Sequence, residues 1–86
     1  MEELNLDNLI EKILNLDYCI TIEDDLTEKI FKIEKVKENL KNLISKRMGF
    51  CFKKNSEKYS FWKFNHSKNT YDYYEKKGRK DFYIHE

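Results

Sequence analysis

The stretch that decides the fold is residues 50–74, which read FCFKKNSEKYSFWKFNHSKNTYDYY. Aromatic side chains alternate there with polar ones over short segments, and a period of two is typical of strands that are half-buried in a sheet. The same pattern returns near the carboxyl terminus. We therefore predict an antiparallel meander of three or four strands, at 50–52, 59–64, 71–74 and 82–84.

Polar clusters at 53–58, 65–70 and 75–81 connect these predicted strands. The chain has no proline and only two glycines, so asparagine has to supply most of the turn conformations. We expect the turns at Asn55, Asn65, Asn69 and Gly78. The last of them would place residues 76–80 at the tip of a hairpin.

Towards the amino terminus the hydrophobic period becomes helical. Apolar side chains three and four residues apart predict a short amphipathic helix over residues 6–16, with Asn5 or Asp7 as its N-cap. Its apolar positions are Leu6, Leu9, Ile10, Ile13 and Leu14. Residues 18–22, YCITI, then change the period to two and predict a short strand.

Residues 26–47 allow two interpretations. As one helix, their apolar residues form a single broad stripe that leaves only Phe31 on the far side. Asp25 and Glu28 resemble a capping box, and Gly49 can terminate the helix in the left-handed conformation. Alternatively, 29–34 is a strand that pairs with 18–22, and the helix starts only near Val36. We favour the longer helix because caps and period agree.

The predicted fold is α+β in a single domain over 1–86. Two amino-terminal helices, about 6–16 and 26–47, would pack on a carboxyl-terminal antiparallel meander of three to four strands. The pattern of hydrophobic residues does not show which face of the sheet the helices cover.

Charge divides the chain into two halves. Residues 1–40 carry 11 acids and 5 bases, a net charge of −6, and residues 41–86 carry 5 acids and 12 bases, a net charge of +7. Each half would therefore present an electrostatic field of its own sign to a partner. No stretch approaches the ~20 apolar residues that span a bilayer, and the acidic amino terminus is unlike a signal peptide. We expect a cytoplasmic protein with no membrane contact.

Residues with catalytic or metal-binding chemistry are few. The only imidazoles are His66 and His85, and neither stands at a regular spacing from Cys19 or Cys51. For a chain without an export signal we expect free thiols. No phosphate-binding loop or nucleophile motif is present. We predict no metal, no cofactor and no catalytic residue.

Basic and aromatic residues of the second half are candidates for binding nucleic acid or a partner. Lysine and arginine can neutralise phosphates, and aromatic faces can stack on unpaired bases. Solvated turns and a small aromatic core would give the same pattern without a function. The candidates are Lys53, Lys54, Trp62, Lys63, Tyr73, Tyr74, Lys76, Lys77, Arg79 and Lys80.

An acidic turn is the second candidate surface. Its residues could dock into a basic groove of another protein, although helix capping and solubility explain part of it. The candidates are Asp17, Tyr18, Glu23, Asp24 and Asp25.

Residues 5–18, NLDNLIEKILNLDY, followed by CITI, resemble the opening of a family of small phage anti-CRISPR proteins that inhibit RNA-guided DNA nucleases. The matching residues are Asn5, Leu9, Ile10, Ile13, Asn15, Asp17 and Tyr18, about a fifth of the chain with the strand that follows. The resemblance implies an acidic surface that mimics DNA, with Asp17 and Tyr18 as contacts. That family is acidic in its carboxyl half, where this chain is basic, so only the wider idea of an inhibitor carries over.

Three functions follow as hypotheses. The leading one is a non-enzymatic inhibitor, encoded by a phage or mobile element, that binds and blocks a host protein or ribonucleoprotein complex that handles nucleic acid. The alternative is a free-standing protein that binds RNA or single-stranded DNA on a basic, aromatic sheet. The third is a small metal-independent ribonuclease toxin built on His66, Arg79, His85 and a tyrosine. Pairing of the sheet with a second copy would make the protein a homodimer.

Overall fold

The computed structural model describes residues 1–23 and 27–78. Along these residues the chain forms six strands and two helical segments. The strands are β1 (Glu2–Leu4), β2 (Tyr18–Ile22), β3 (Glu28–Lys32), β4 (Met48–Phe52), β5 (Lys58–Asn65) and β6 (Thr70–Lys77). The helical segments are α1 (Leu6–Leu14) and a run made of α2 (Ile33–Val36), a 3-10 turn (Lys37–Asn39) and α3 (Leu40–Ile44).

All strands pair antiparallel in one sheet, in the order β1-β6-β5-β4-β2-β3. Strands β4, β5 and β6 form the predicted meander. Strands β2 and β3 extend it on one side, and β1 extends it on the other. The α+β class is as predicted, but the predicted architecture is wrong, because the sheet is the larger part of the described chain and has six strands there instead of three or four.

The core lies between the helices and one face of the sheet. Leu9 and Ile13 of α1, and Ile33, Leu40 and Ile44 of the second helical segment, pack against side chains that alternate along the strands. The sheet contributes Leu4, Cys19, Cys51, Trp62, Phe64, Tyr71 and Tyr73 to this cluster. Since successive side chains of a strand point to opposite faces, the residues between them form a second face, away from these helices.

Helix α1 follows its sequence signals closely. The Asn5 side chain accepts a hydrogen bond from the backbone N–H of Asn8, at 2.8 Å, and so caps the first turn. The helix ends at Leu14, two residues before the predicted end. Asn5, and not Asp7, is therefore the N-cap of α1.

The predicted helix over 26–47 is wrong, and the alternative strand is present as β3. Cys19 of β2 and Phe31 of β3 are directly opposite each other, and Phe31 packs against the core. Phe31 is the one apolar residue that the helical stripe left on its far side. A strand at this position satisfies the backbone of the second edge of β2, which a helix would leave unpaired.

Two of the residues predicted to cap this helix, Glu28 and Gly49, lie in strands. Gly49 lies inside β4, directly opposite Trp62 of β5. The left-handed conformation after α3 is taken by Lys46, with φ of 57°. Asp25 lies outside the described residues. A glycine after an amphipathic run is thus part of the sheet here and not a helix end.

The turns of the meander are made by the predicted residues. Asn55 and Asn69 have positive φ values of 63° and 56°, and the Asn65 side chain accepts hydrogen bonds from the backbone N–H groups of Ser67 and Lys68. Gly78 has φ of 109°. The predicted tip at 76–80 is misplaced, however, because Lys76 and Lys77 are the last residues of β6. The predicted strand 82–84 lies outside the described residues.

Candidate functional site: the aromatic face of the sheet

The face of the sheet opposite the helices is built largely from aromatic rings, and we call it the aromatic face. It carries Tyr18, Phe50, Phe52, Tyr59, Phe61 and Tyr74. The rings of Tyr18 and Phe52 are stacked, with centroids 5.6 Å apart and planes at 24°, and both residues are buried. The other four residues are half-buried. These four residues therefore present aromatic surface on this face.

Three of these residues form a row across neighbouring strands, which we call the aromatic row: Phe50, Phe61 and Tyr74. They are directly opposite one another in β4, β5 and β6. Ring centroids are 5.1 Å apart between the first two and 5.7 Å apart between the last two. Cross-strand aromatic pairs stabilise a sheet. The row is therefore held rigid by its own packing.

Two predicted lysines stand on the same face as the aromatic row. Lys63 follows Phe61 by two residues in β5 and is exposed. The Nζ atom of Lys76 lies 6.0 Å from the centre of the Tyr74 ring, within the range of a cation–π interaction. Asp72, opposite Lys63, is the nearest acid across the strands.

One end of the sheet gathers lysines that are distant in sequence, and we call it the basic end. The turn after β4 carries Lys53 and Lys54, and the first residue of β5, Lys58, pairs with Lys77 of β6. Lys76 pairs with Tyr59 beside them. The acids nearby in the chain are Glu57 and Glu75. Predicted cations of two separate segments thus meet at the border of the aromatic face.

Two of the predicted aromatic contacts, Trp62 and Tyr73, lie in the core and not on the aromatic face. Both are buried on the helix side of the sheet, where no base could stack on them. The Trp62 indole N–H donates to the Cys51 sulfur at 3.3 Å, and the Tyr73 hydroxyl bonds to Ser60 at 2.6 Å. Only Tyr74 of the three predicted rings lies on the aromatic face.

The residues that the prediction missed are Phe50, Tyr59, Phe61 and Lys58. In β5 both faces carry aromatic residues, since Tyr59 and Phe61 alternate with Ser60, Trp62 and Phe64. Alternation alone does not show which set faces the core. Gly49 is the missing signal, because a glycine opposite a tryptophan makes room for a buried ring.

The acidic candidates do not form one surface in the described part of the chain. Asp17 is exposed, but its carboxylate accepts a hydrogen bond from the backbone N–H of Lys54 at 2.8 Å and holds the basic end in place. Tyr18 is buried under Phe52. The backbone N–H of Glu23 donates to the backbone oxygen of Thr27. Asp24 and Asp25, like Arg79 and Lys80 of the basic set, lie outside the described residues.

The side chains that could bind a metal ion do not converge in residues 1–23 and 27–78. No group of three or more histidine, cysteine, aspartate or glutamate side chains converges there to hold a metal ion. His66 is exposed and meets Phe64 edge-on, at 4.7 Å between ring centres. Arg79 and His85, which the ribonuclease hypothesis needs beside it, are outside these ranges.

The two cysteines are free, as predicted, and lie against each other. They are directly opposite in β2 and β4, both are fully buried, and the Cys51 thiol donates to the Cys19 sulfur at 2.7 Å. Burial, together with this hydrogen bond, raises the pKa of the Cys19 thiol well above its usual range. These thiols are therefore part of the core and not an exposed reactive pair.

Within the described ranges, each helix is too short or too polar to cross a bilayer. No protein-family model matches the chain, and neither a curated protein nor a solved structure matches it.

Proposed function

We propose that this protein is a non-enzymatic binding protein that holds single-stranded RNA or DNA on its aromatic face. The observation that carries the proposal is the aromatic row of Phe50, Phe61 and Tyr74, half-buried and bordered by the basic end. Unpaired bases stack on such rings, and each stacked base contributes about 1–3 kcal/mol.

The lysines around the aromatic row suit the sugar–phosphate backbone of the same strand. Lys63 and Lys76 flank the row on its own face, and the basic end adds Lys54, Lys58 and Lys77. Each phosphate that they neutralise releases counterions, so the affinity depends steeply on salt. Stacking on rings favours unpaired bases over a duplex, whose bases are already stacked.

Fluorescence anisotropy with labelled oligouridine of about 12 nucleotides tests this proposal, since this length lies within the roughly 4–16 nucleotides that an OB fold, another small single-strand-binding domain, covers. We expect Phe61→Leu, which keeps the apolar volume but loses the ring, to weaken binding about fivefold or more. Leu14→Ala on the exposed side of α1 is the matched control. The same affinity for Phe61→Leu and the native protein would rule out stacking on the row.

Salt dependence tests the lysines separately. Lys76→Gln should reduce the slope of log affinity against log salt by about 0.7, the value for one phosphate contact with a single strand. Lys37→Gln, an exposed lysine of the 3-10 turn, should leave the slope unchanged. No binding at about 50 mM salt by the native protein would remove the proposal as a whole.

A second candidate is the inhibitor that docks on a host complex that handles nucleic acid. The observation that favours it is the aliphatic end of the sheet at β3, where Ile30 is 45% exposed on an edge strand. Ile22 and Met48, half-buried on the same face, adjoin it through β2. An exposed apolar patch of this kind suits a protein surface better than it suits phosphates.

Capture of a specific complex from host lysate separates the two candidates when it is repeated after nuclease treatment. A partner that survives nuclease and is lost with Ile30→Asp, but not with Leu14→Asp, would support the inhibitor. Both isoleucine and leucine are exposed, so neither change should unfold the chain. Capture that nuclease abolishes would support nucleic-acid binding instead.

A further inference from the structure

A cavity of about 330 Å³ lies on the helix side of the sheet, between the carboxyl-terminal end of α1 and strands β4, β5 and β6. It opens next to the basic end, because Lys53 and Lys58 line it. Ligand sites of small molecules begin at about this volume. The aromatic row, on the opposite face, does not contribute to it.

The rim of the cavity is cationic. Lys12 from α1 joins Lys53 and Lys58, and Glu75 is the carboxylate among the lining residues. Lys12 also forms an ion pair with Glu2 at 3.3 Å, which raises the pKa of Lys12 and keeps its ammonium charged. An ammonium group has three donors, so this ion pair leaves Lys12 with hydrogen-bonding capacity for an anion.

The floor of the cavity carries a buried hydroxyl pair. Ser60 Oγ and Tyr73 OH are 2.6 Å apart, and both residues are buried. The pair has two hydroxyl protons and its mutual bond uses one, so the second can be donated to a ligand. Burial raises the pKa of Tyr73, so this hydroxyl is a neutral donor at physiological pH.

An apolar side chain adjoins the rim. Leu16 lines the cavity beside the cationic rim, and Phe52 and Tyr59 adjoin it from strand positions whose rings pack with Tyr18 on the aromatic face. A ligand that suits the rim and the floor has a doubly charged anionic group for the lysines and acceptor oxygens for the hydroxyl pair. A phosphate monoester has both properties, and a nucleotide carries one.

We propose that this cavity binds the phosphate monoester of a nucleotide. The phosphate would belong either to the 5′ end of a bound strand or to a free nucleoside monophosphate, and the first source rests on the proposed function. Lys53 and Lys58 belong to both the cavity rim and the basic end, so a strand on the aromatic face can reach the cavity with its terminus.

Oligouridines that differ only in a 5′-phosphate or a 5′-hydroxyl test the proposal, with uridine monophosphate as a competitor. We expect the 5′-phosphate to increase affinity about tenfold. Tyr73→Phe, which removes only the hydroxyl, and Lys12→Gln should each abolish this difference, whereas Lys37→Gln should keep it. Melting curves of each variant would show that the fold is retained.

The outcomes separate the cavity from the aromatic face. Competition by uridine monophosphate would assign the cavity to free nucleotides as well, and a 5′-phosphate preference without competition would assign it to strand ends. Equal affinity for the two oligonucleotides, with no binding of the monophosphate, overturns the cavity proposal and leaves the proposed function standing. Binding of the monophosphate alone would support the cavity and remove the proposed function.

Discussion

At the scale of single residues, the contact between Gly49 and Trp62 decides which face of the sheet becomes the core. A Cβ atom on Gly49 would collide with the backbone oxygen of Ile20, and it would lie 2.6 Å from Cζ2 of the Trp62 ring. Neither a buried indole nor strand backbone can move away in a closely packed core. This one glycine therefore allows the largest side chain of the protein to lie flat inside.

Gly49→Ala should accordingly destabilise the protein by about 1–3 kcal/mol, the usual cost of overpacking. Urea unfolding measures this change in free energy. Gly78→Ala is the control: nothing lies within 4 Å of its added Cβ, and only the positive φ of 109° opposes the substitution. We expect its cost near 1 kcal/mol. A neutral Gly49→Ala would contradict the packing around Trp62.

The Cys19 thiol makes stability depend on alkaline pH. Its raised pKa means that the folded protein retains the thiol proton at pH values where the unfolded chain, with a pKa of about 8.5, has released it. The contribution is complete below about pH 8.5 and is lost as pH rises from there through the folded pKa.

We expect the free energy of unfolding to fall above about pH 8.5, by at most about 1.4 kcal/mol per pH unit for this group. Cys19→Ala should reduce the slope measured by urea unfolding between about pH 8 and pH 9.5. Tyr73, whose pKa is also raised, contributes only from about pH 10 upward. An identical slope in the variant would show that Cys19 is not responsible.

At the scale of elements, residues 28–32 show how tertiary pairing overrides a helical pattern. Ile30 and Ile33 fit a helical stripe, and a capping box precedes them in the sequence, yet the segment pairs with β2 over five residues. Local propensity is a weak signal where an unpaired strand is available next to it. Phe31, apolar but off the stripe, was the local sign of a strand.

A pair of substitutions distinguishes the strand from the helix in solution. In β3, Phe31 packs on the core whereas Ile30 is 45% exposed, so Phe31→Ala should cost about 2 kcal/mol or more and Ile30→Ala less than about 1 kcal/mol. A helix over 26–47 requires the reverse order, with Ile30 on its buried stripe. Thermal or urea unfolding of both variants measures the order.

At the scale of the whole molecule, the ends of the described chain meet. Strand β1 pairs with β6, so Glu2 is directly opposite Tyr73. The fold also reduces the charge division of the sequence, because Glu3 forms an ion pair with Lys68 at 2.9 Å and Asp7 forms one with Lys41 at 3.0 Å. In the described part of the chain the two halves are therefore not separate poles, since the sheet places β6, β5 and β4 of the basic half between β1 and β2 of the acidic half.

Strand β1 should join the sheet late in folding, because its partner β6 is about seventy residues away along the chain. The entropy cost of loop closure opposes such distant contacts. Leu4→Ala should cost about 2 kcal/mol and act mainly by speeding unfolding. Phe64→Leu in the local β5–β6 hairpin should instead slow folding. Stopped-flow chevron plots measure both rates. A Leu4→Ala variant with slower folding and unchanged unfolding would contradict this order.

Local chemistry is sufficient for the features that depend on near neighbours in the sequence. The hydrophobic period and the turn residues act over only a few positions along the chain. They predict the helix capped by Asn5, the strand at 18–22, and the β4–β5–β6 meander with its turns at Asn55 and Asn69. The lysines of the candidate site could be identified in the same way. Their meeting at one end of the sheet could not.

Only the tertiary structure decided the features that depend on distant partners. Strand β3 forms because the second edge of β2 needs a hydrogen-bonding partner. Strand β1 forms because β6 offers it a partner. Trp62 is buried and Phe61 is not, because Gly49 lies opposite the indole. Alternation specifies that a strand has two faces, but it does not specify which one the helices cover. That choice made the aromatic row, and not the tryptophan, the candidate binding surface.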